Sequence, residues 1–179
     1  MNLIDVSFEI VSSHFPNEIW SEKYKNVFIA TSREPKNSEQ KKVFEKEFLM
    51  AQIASDNGHT VFLLPESSVT KNPDALFDAE FTEFKAVTGG ENAVSHRFRD
   101  ALHQGQNVYL KIDTNIPVKR IKQILTGVLK EKDIMGKVYC YITRLKVLYT
   151  WFMQDLKQNK APHGALSLPQ ADRNQNSDK

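Results

Sequence analysis

Between residues 38 and 153 the apolar positions switch repeatedly between a spacing of three to four, which marks one face of a helix, and the short runs or alternations of a strand. Ser38 can cap a helix over 39–57, with apolar residues at 43, 44, 48, 50, 51 and 54 and Gly58 where a left-handed C-cap falls. Thr60 to Leu64 then reads as a short buried strand closed by Pro65. Residues 75–87 hold two β-prone runs around Asp78-Ala79-Glu80, an antiparallel hairpin in its simplest form. Asn92 opens a second helix to about residue 104, with Val94, Phe98, Ala101 and Leu102 spaced for burial, and Asn107 to Ile112 is again a strand. Pro117 suits the first turn of a third helix through Leu129, and 137–143 and 145–153 form a closing pair of strands. The order α, β, β, β, α, β, α, β, β predicts a single α/β domain with a mixed central β-sheet flanked by helices, over residues 38–156.

The two ends are less regular. Ile4, Val6, Phe8 and Ile10 alternate with polar or small neighbours, and Asn26 to Ala30 is strand-like, so 1–37 is expected to be an extension packing on the core. Residues 157–179, rich in Asn, Gln, Ser, Asp and Pro, are expected to be a disordered tail.

The chain of 179 residues has 24 basic and 22 acidic side chains, a near balance that argues against a polybasic, histone-like binder and leaves room for a localised basic face. Its longest apolar run, 148–153, is far below the roughly 20 residues of a membrane span. No basic segment followed by an apolar one opens the chain, so a cytoplasmic location is expected. The lone Cys140 excludes an intramolecular disulfide and any cysteine-rich zinc site, and its place between Tyr139 and Tyr141 is that of a small core residue. Trp20, Trp151, Tyr139, Tyr141 and Tyr149 are expected to pack in the core or sheet rather than to stack on bases.

One pattern carries chemistry: Pro73-Asp74, eight residues, then Glu83-Phe84-Lys85. On a strand Glu83 and Lys85 project from one face, and a hairpin partner brings Asp74 or Asp78 beside Glu83. Adjacent carboxylates repel unless a hard cation lies between them, and Mg²⁺ or Mn²⁺ with oxygen ligands meets that need. A neighbouring ammonium then stabilises the charge that grows on a phosphoryl group under attack.

In this context the chain resembles the PD-(D/E)XK, or restriction-endonuclease-like, nuclease superfamily, whose core follows the succession αβββαβ, over roughly residues 38–112. A narrower likeness rests on the run 47–66 (EFLMAQIASDNGHTVFLLPE), Asn72-Pro73-Asp74-Ala75-Leu76-Phe77-Asp78, Glu83-Phe84-Lys85 and Arg99 to Val108. These stretches are similar to the C-terminal tRNase domains of contact-dependent inhibition (CdiA-type) proteins, apart from Ala79 where a Gly commonly follows the hairpin Asp.

The resemblance implies a metal-dependent nuclease acting on nucleic acid, RNA such as tRNA in particular, with a toxin role and a cognate immunity protein as partner. Asp74, Asp78 and Glu83 are the candidate ligands of Mg²⁺ or Mn²⁺, and Lys85 is the residue that orients water. Glu47 interrupts an apolar helix stripe, where a carboxylate is costly unless paired or metal-linked, and matches an acidic helix residue of the superfamily. Gln104 resembles the superfamily's helix residue that touches substrate or orients the lysine, and His96, Arg97, Arg99 and His103 are candidates for holding phosphates. Two alternatives lead elsewhere. One is a metal-independent RNase of barnase, EndoU or colicin-like type, in which a 2′-OH attacks and His96 or His103 is the general base. The other is a non-catalytic binding or immunity-like module of the same fold.

Overall fold

Crossing the central sheet from edge to edge reproduces the order of the chain. The computed structural model describes residues 2–66, 72–130, 132–158, 160, 162 and 164–167, the last four as backbone. Its strands are β1 (Trp20–Tyr24), β2 (Val27–Ala30), β3 (Val61–Leu63), β4 (Ala75–Phe77), β5 (Glu80–Val87), β6 (Asn107–Ile112), β7 (Lys137–Ile142), β8 (Val147–Phe152) and β9 (Gly164–Ser167). Each is paired with the next in sequence. The helices are α1 (Leu3–His14), α2 (Ser38–Asp56), α3 (Glu91–Leu102), α4 (Val118–Leu129) and the short α5 (Met153–Lys157). This is a mixed α/β fold with helices on both faces of one sheet. Among the described residues no helix is long and apolar enough to cross a membrane.

Three pairs, β2 with β3, β5 with β6 and β6 with β7, are parallel, so the chain must cross back between them, and α2, α3 and α4 are those crossovers. Side-chain alternation decides which helix covers which face. Val27, Ile29, Leu63, Phe77 and Phe84 point to the face covered by Met50, Ala51 and Ala54 of α2. Val108, Leu110, Val138 and Cys140 point to the other face, beneath α3 and α4. On that second face, over β2 to β4, lies α1, whose Val11, Ile4 and Phe8 pack on Phe28, Phe62 and Leu76. Helices α1 and α3 therefore share a face, with β5 between them.

From residue 38 onward the elements follow the sequence pattern, with small changes at their starts. Asn37 rather than Ser38 caps α2, its side chain accepting from the Gln40 N–H, and Gly90 rather than Asn92 precedes α3. Gly58, at φ +88°, takes the left-handed position after α2. The alternation of Ile4, Val6, Phe8 and Ile10 is not a strand. Asn2 and Asp5 form a reciprocal capping box, and Ile4, Phe8 and Val11 also satisfy helical spacing, so the segment folds as α1. Within the expected tail, β9 pairs antiparallel with β8, while 168–179 lie outside the described residues. Cys140, Tyr139, Tyr141 and Trp151 are buried, and Tyr149 stacks on Trp151 with ring centroids 5.4 Å apart.

Candidate active site

The β4–β5 hairpin sets the geometry. Ala75 pairs with Thr82 and Phe77 with Glu80, leaving Asp78-Ala79 as a two-residue turn with φ of +48° and +64°. Such a turn needs positive φ at both central residues. The register places Asp74 opposite Glu83, and Asp74 Oδ2 accepts from the Phe84 N–H at 2.8 Å. Asp78 lies at the far end of the hairpin, where Oδ1 accepts from the Thr60 N–H at 2.9 Å and Oδ2 meets His59 Nδ1 at 2.6 Å. The two aspartates thus differ in position: Asp74 stands beside Glu83, and Asp78 ties the hairpin turn to the start of β3.

Glu83 is only 2% exposed, on the face shared by α1 and α3. Its Oε1 accepts from Lys85 Nζ, two residues along the same face. The buried Oε2 meets no hydrogen-bond donor, and the Asp74 carboxylate stands close enough to accept from the Glu83 carboxyl when it carries a proton. Burial, and then the Asp74 charge, push the Glu83 carboxyl above the usual range, with Lys85 opposing them. The turn after α3 closes over it: a Cβ on Gly105 would stand 3.4 Å from the Glu83 Cβ.

A second acidic group approaches Asp74 from α2. Glu47 is mostly buried and is bound by Nη2 of Arg33, which also lies 3.9 Å from Asp74 Oδ1. Nη1 of Arg33 donates to the Leu64 carbonyl at 2.5 Å. Because β2 and β3 are parallel, the turn Thr31–Arg33 after β2 and Leu64 after β3 lie at one end of the sheet, where β4 also begins. Burial raises the Glu47 pKa, Arg33 opposes the rise, and Asp74 adds to it. Arg33, 6% exposed, was not singled out in the sequence, and it is the group that makes a buried Glu47 tolerable.

Lys85, Arg97, Asp100, His103 and Gln104 line a cavity of about 320 Å³. The four helix candidates differ in where they point. Arg97 flanks Lys85, whereas His96, bonded to Asp100 at 3.0 Å, and Arg99 lie exposed on the outer side of α3. His103 faces both this cavity and a larger cleft of about 1180 Å³ between the C-terminal ends of α1 and α3. Across that cleft stands His14, whose Nδ1 lies 2.9 Å from the Ile10 carbonyl. Among the described residues no three His, Cys, Asp or Glu side chains are grouped so as to hold a metal ion. The site therefore consists of one carboxylate pair, Asp74 and Glu83, a lysine on Glu83, and Glu47 drawn towards Arg33.

Residues 71–147 match the model of the contact-dependent growth inhibition CdiA C-terminal domain family. That stretch holds Asp74, Glu83, Lys85 and Gln104 and leaves out Arg33 and Glu47. Among solved structures the chain is similar to one described as a CdiA-CT/CdiI toxin and immunity complex from Burkholderia pseudomallei. The identity is 18% and the TM-score 0.48, over 66% of this chain and 92% of that one. No curated protein matches the chain.

Proposed function

We propose that the chain is a CdiA-type toxin domain of restriction-endonuclease-like core, and that it hydrolyses phosphodiester bonds in RNA at Asp74, Glu83 and Lys85. The observation that carries the reading is the Glu83 carboxylate, buried against the like charge of Asp74, with one oxygen bonded to Lys85 and no donor reaching the other. A buried, unsatisfied oxygen beside a second carboxylate is costly in a merely structural role. The family match over 71–147 and the succession α2, β3, β4, β5, α3, β6 support the same assignment.

The donor set fits a small, hard divalent cation, Mg²⁺ or Mn²⁺, which keeps several waters and takes one or two carboxylates. Asp74 and Glu83 are the residues that would hold it, and when bound it supplies Lewis-acid polarisation of the phosphoryl oxygen. Lys85, held in place by Glu83, presents its remaining N–H donors to the attacking water and to the phosphoryl oxygens as negative charge grows on them. Arg97 adds a second positive charge on the wall of the Lys85 cavity, and Gln104 beside it offers an amide to the substrate. Glu47 and Arg33 act behind Asp74, fixing its surroundings rather than touching the phosphate. On this reading the partners are an RNA substrate and a cognate immunity protein.

A second reading is favoured by one observation, the pair of histidines facing one cleft. If His14 Nδ1 donates to Ile10, its Nε2 is left as a base, and His103 on the other wall would act as the acid in a metal-independent transesterification. The non-catalytic module is disfavoured by burial, since an acidic cluster that pairs with a partner's basic side chains needs Glu83 at the surface. Cleavage of a tRNA panel by the parent, Glu83→Ala, Lys85→Ala and His103→Ala proteins, with and without EDTA, separates the readings. The proposal expects loss of cleavage with Glu83→Ala, Lys85→Ala or EDTA, and activity retained in His103→Ala. Cleavage surviving EDTA and lost with His103 overturns it.

A further inference from the structure

We infer that the cleft between α1 and α3 is a subsite for one unpaired nucleobase of the RNA, next to the phosphate that is cut; this rests on the nuclease reading above. Its lining is chemically mixed in the way a base requires. The rings of Phe81 and His14 stand 5.0 Å apart at 70°, forming a corner in which a flat aromatic ring lies on one wall and meets the other edge-on. The opposite wall offers the amides of Gln104 and Gln106, which carry both donors and acceptors for a base edge. A third side is closed by the 133–136 connection, where Met135 is 71% exposed. That connection is held against α3's exit by close backbone packing: a Cβ on Gly136 would fall 2.2 Å from the Gln106 carbonyl oxygen.

Position links the cleft to the chemistry. Phe81, Glu83 and Lys85 follow one another on the same face of β5, His103 and Gln104 line both cavities, and Gly105 packs on Glu83. At about 1180 Å³ the space exceeds what a single base fills, leaving room for its sugar and the chain leading to the phosphate. A paired base cannot enter, because its edge and both faces are already occupied in the duplex. The subsite therefore selects single-stranded or looped RNA.

The test uses the full chain carrying Glu83→Gln, so that RNA is bound without being cut. A fluorescein-labelled single-stranded RNA octamer and the same sequence as a blunt duplex are titrated by anisotropy. An octamer with 2-aminopurine at successive positions reports which base leaves the stack. The single strand is expected to bind at least ten-fold tighter than the duplex. Phe81→Ala should weaken the single strand about ten-fold, the loss of one stacked base. His14→Ala, at an exposed position that leaves the fold intact, should weaken it several-fold and abolish the 2-aminopurine signal. Equal affinity for strand and duplex, or a His14→Ala protein that binds and signals like its parent, overturns the subsite while metal-dependent cleavage by the unmutated protein still stands. Absence of binding to either RNA, with no cleavage, overturns the subsite together with the nuclease reading.

Discussion

Replacing Arg33 by Met tests how the site is held together. The substitution keeps a long unbranched stem and removes the guanidinium, so that the Glu47 carboxylate and the Leu64 carbonyl both lose their partner. The two side chains of the ion pair are 4% and 15% exposed, well within the range where solvent gives little compensation. Removing one member of a buried pair costs about 3–5 kcal/mol, because the other charge remains without a counter-ion. Glu47 can limit that loss by taking up a proton, which places the expected destabilisation near the lower end, about 3 kcal/mol at pH 7.5. Its sign with pH follows from the direction of the shift. Burial already raises the folded-state pKa of Glu47 and Arg33 opposes it, so the variant raises it further. A carboxyl whose folded pKa is raised stabilises the folded state below its ordinary value of 4.5, and that contribution disappears as pH rises through the folded pKa. The Arg33→Met protein should therefore lose more stability at pH 7.5 than at pH 5. Urea unfolding followed by circular dichroism at both values measures this, and Arg33→Met/Glu47→Leu should recover most of the loss. A cost under about 1 kcal/mol, equal at the two pH values, or a double variant no better than the single one, would refute the reasoning.

Other substitutions address single features. Glu83→Gln should abolish cleavage yet change stability by less than about 1 kcal/mol at pH 7.5, since it removes a buried charge that Asp74 repels and also takes away the counter-ion of Lys85; a large loss in urea unfolding would count against that balance. Ala79→Gly, at φ +64° in the hairpin turn, should stabilise by about 1 kcal/mol in the same assay, and no gain would mean that the turn is not strained by its side chain. Gly136→Ala forces a methyl group against the Gln106 carbonyl and should cost about 1–3 kcal/mol, seen as a lowered Tm; an unchanged Tm would show that the connection relaxes freely.

Hydrophobic period was a sound guide wherever each element buries its own face. Val94, Phe98, Ala101 and Leu102 mark α3, and Ile121, Leu125 and Val128 mark α4, so both helices were legible. Period failed over 4–10, where the same residues fit two spacings and only the Asn2–Asp5 cap distinguishes them. Of the site, Asp74, Glu83 and Lys85 were readable as a motif, because a strand and a hairpin fix their relative positions locally. Asp78 looked equivalent in sequence, but turn conformation and the contacts to His59 and Thr60 hold it elsewhere. Arg33 was not legible, since nothing nearby in sequence explains a buried arginine. Its partners, Glu47, Leu64 and Asp74, come from three other parts of the chain. Its one local sign is that it closes the turn Thr31–Arg33 that follows the buried strand Val27–Ala30.

The most direct test is the chemistry of the cut ends when the protein acts on a tRNA panel with Mg²⁺ or Mn²⁺ present or chelated. The account predicts hydrolysis that needs the divalent ion, stops with Glu83→Gln, and leaves a 5′-phosphate and a 3′-hydroxyl. Fragments that form equally in EDTA and end in a 2′,3′-cyclic phosphate would contradict it.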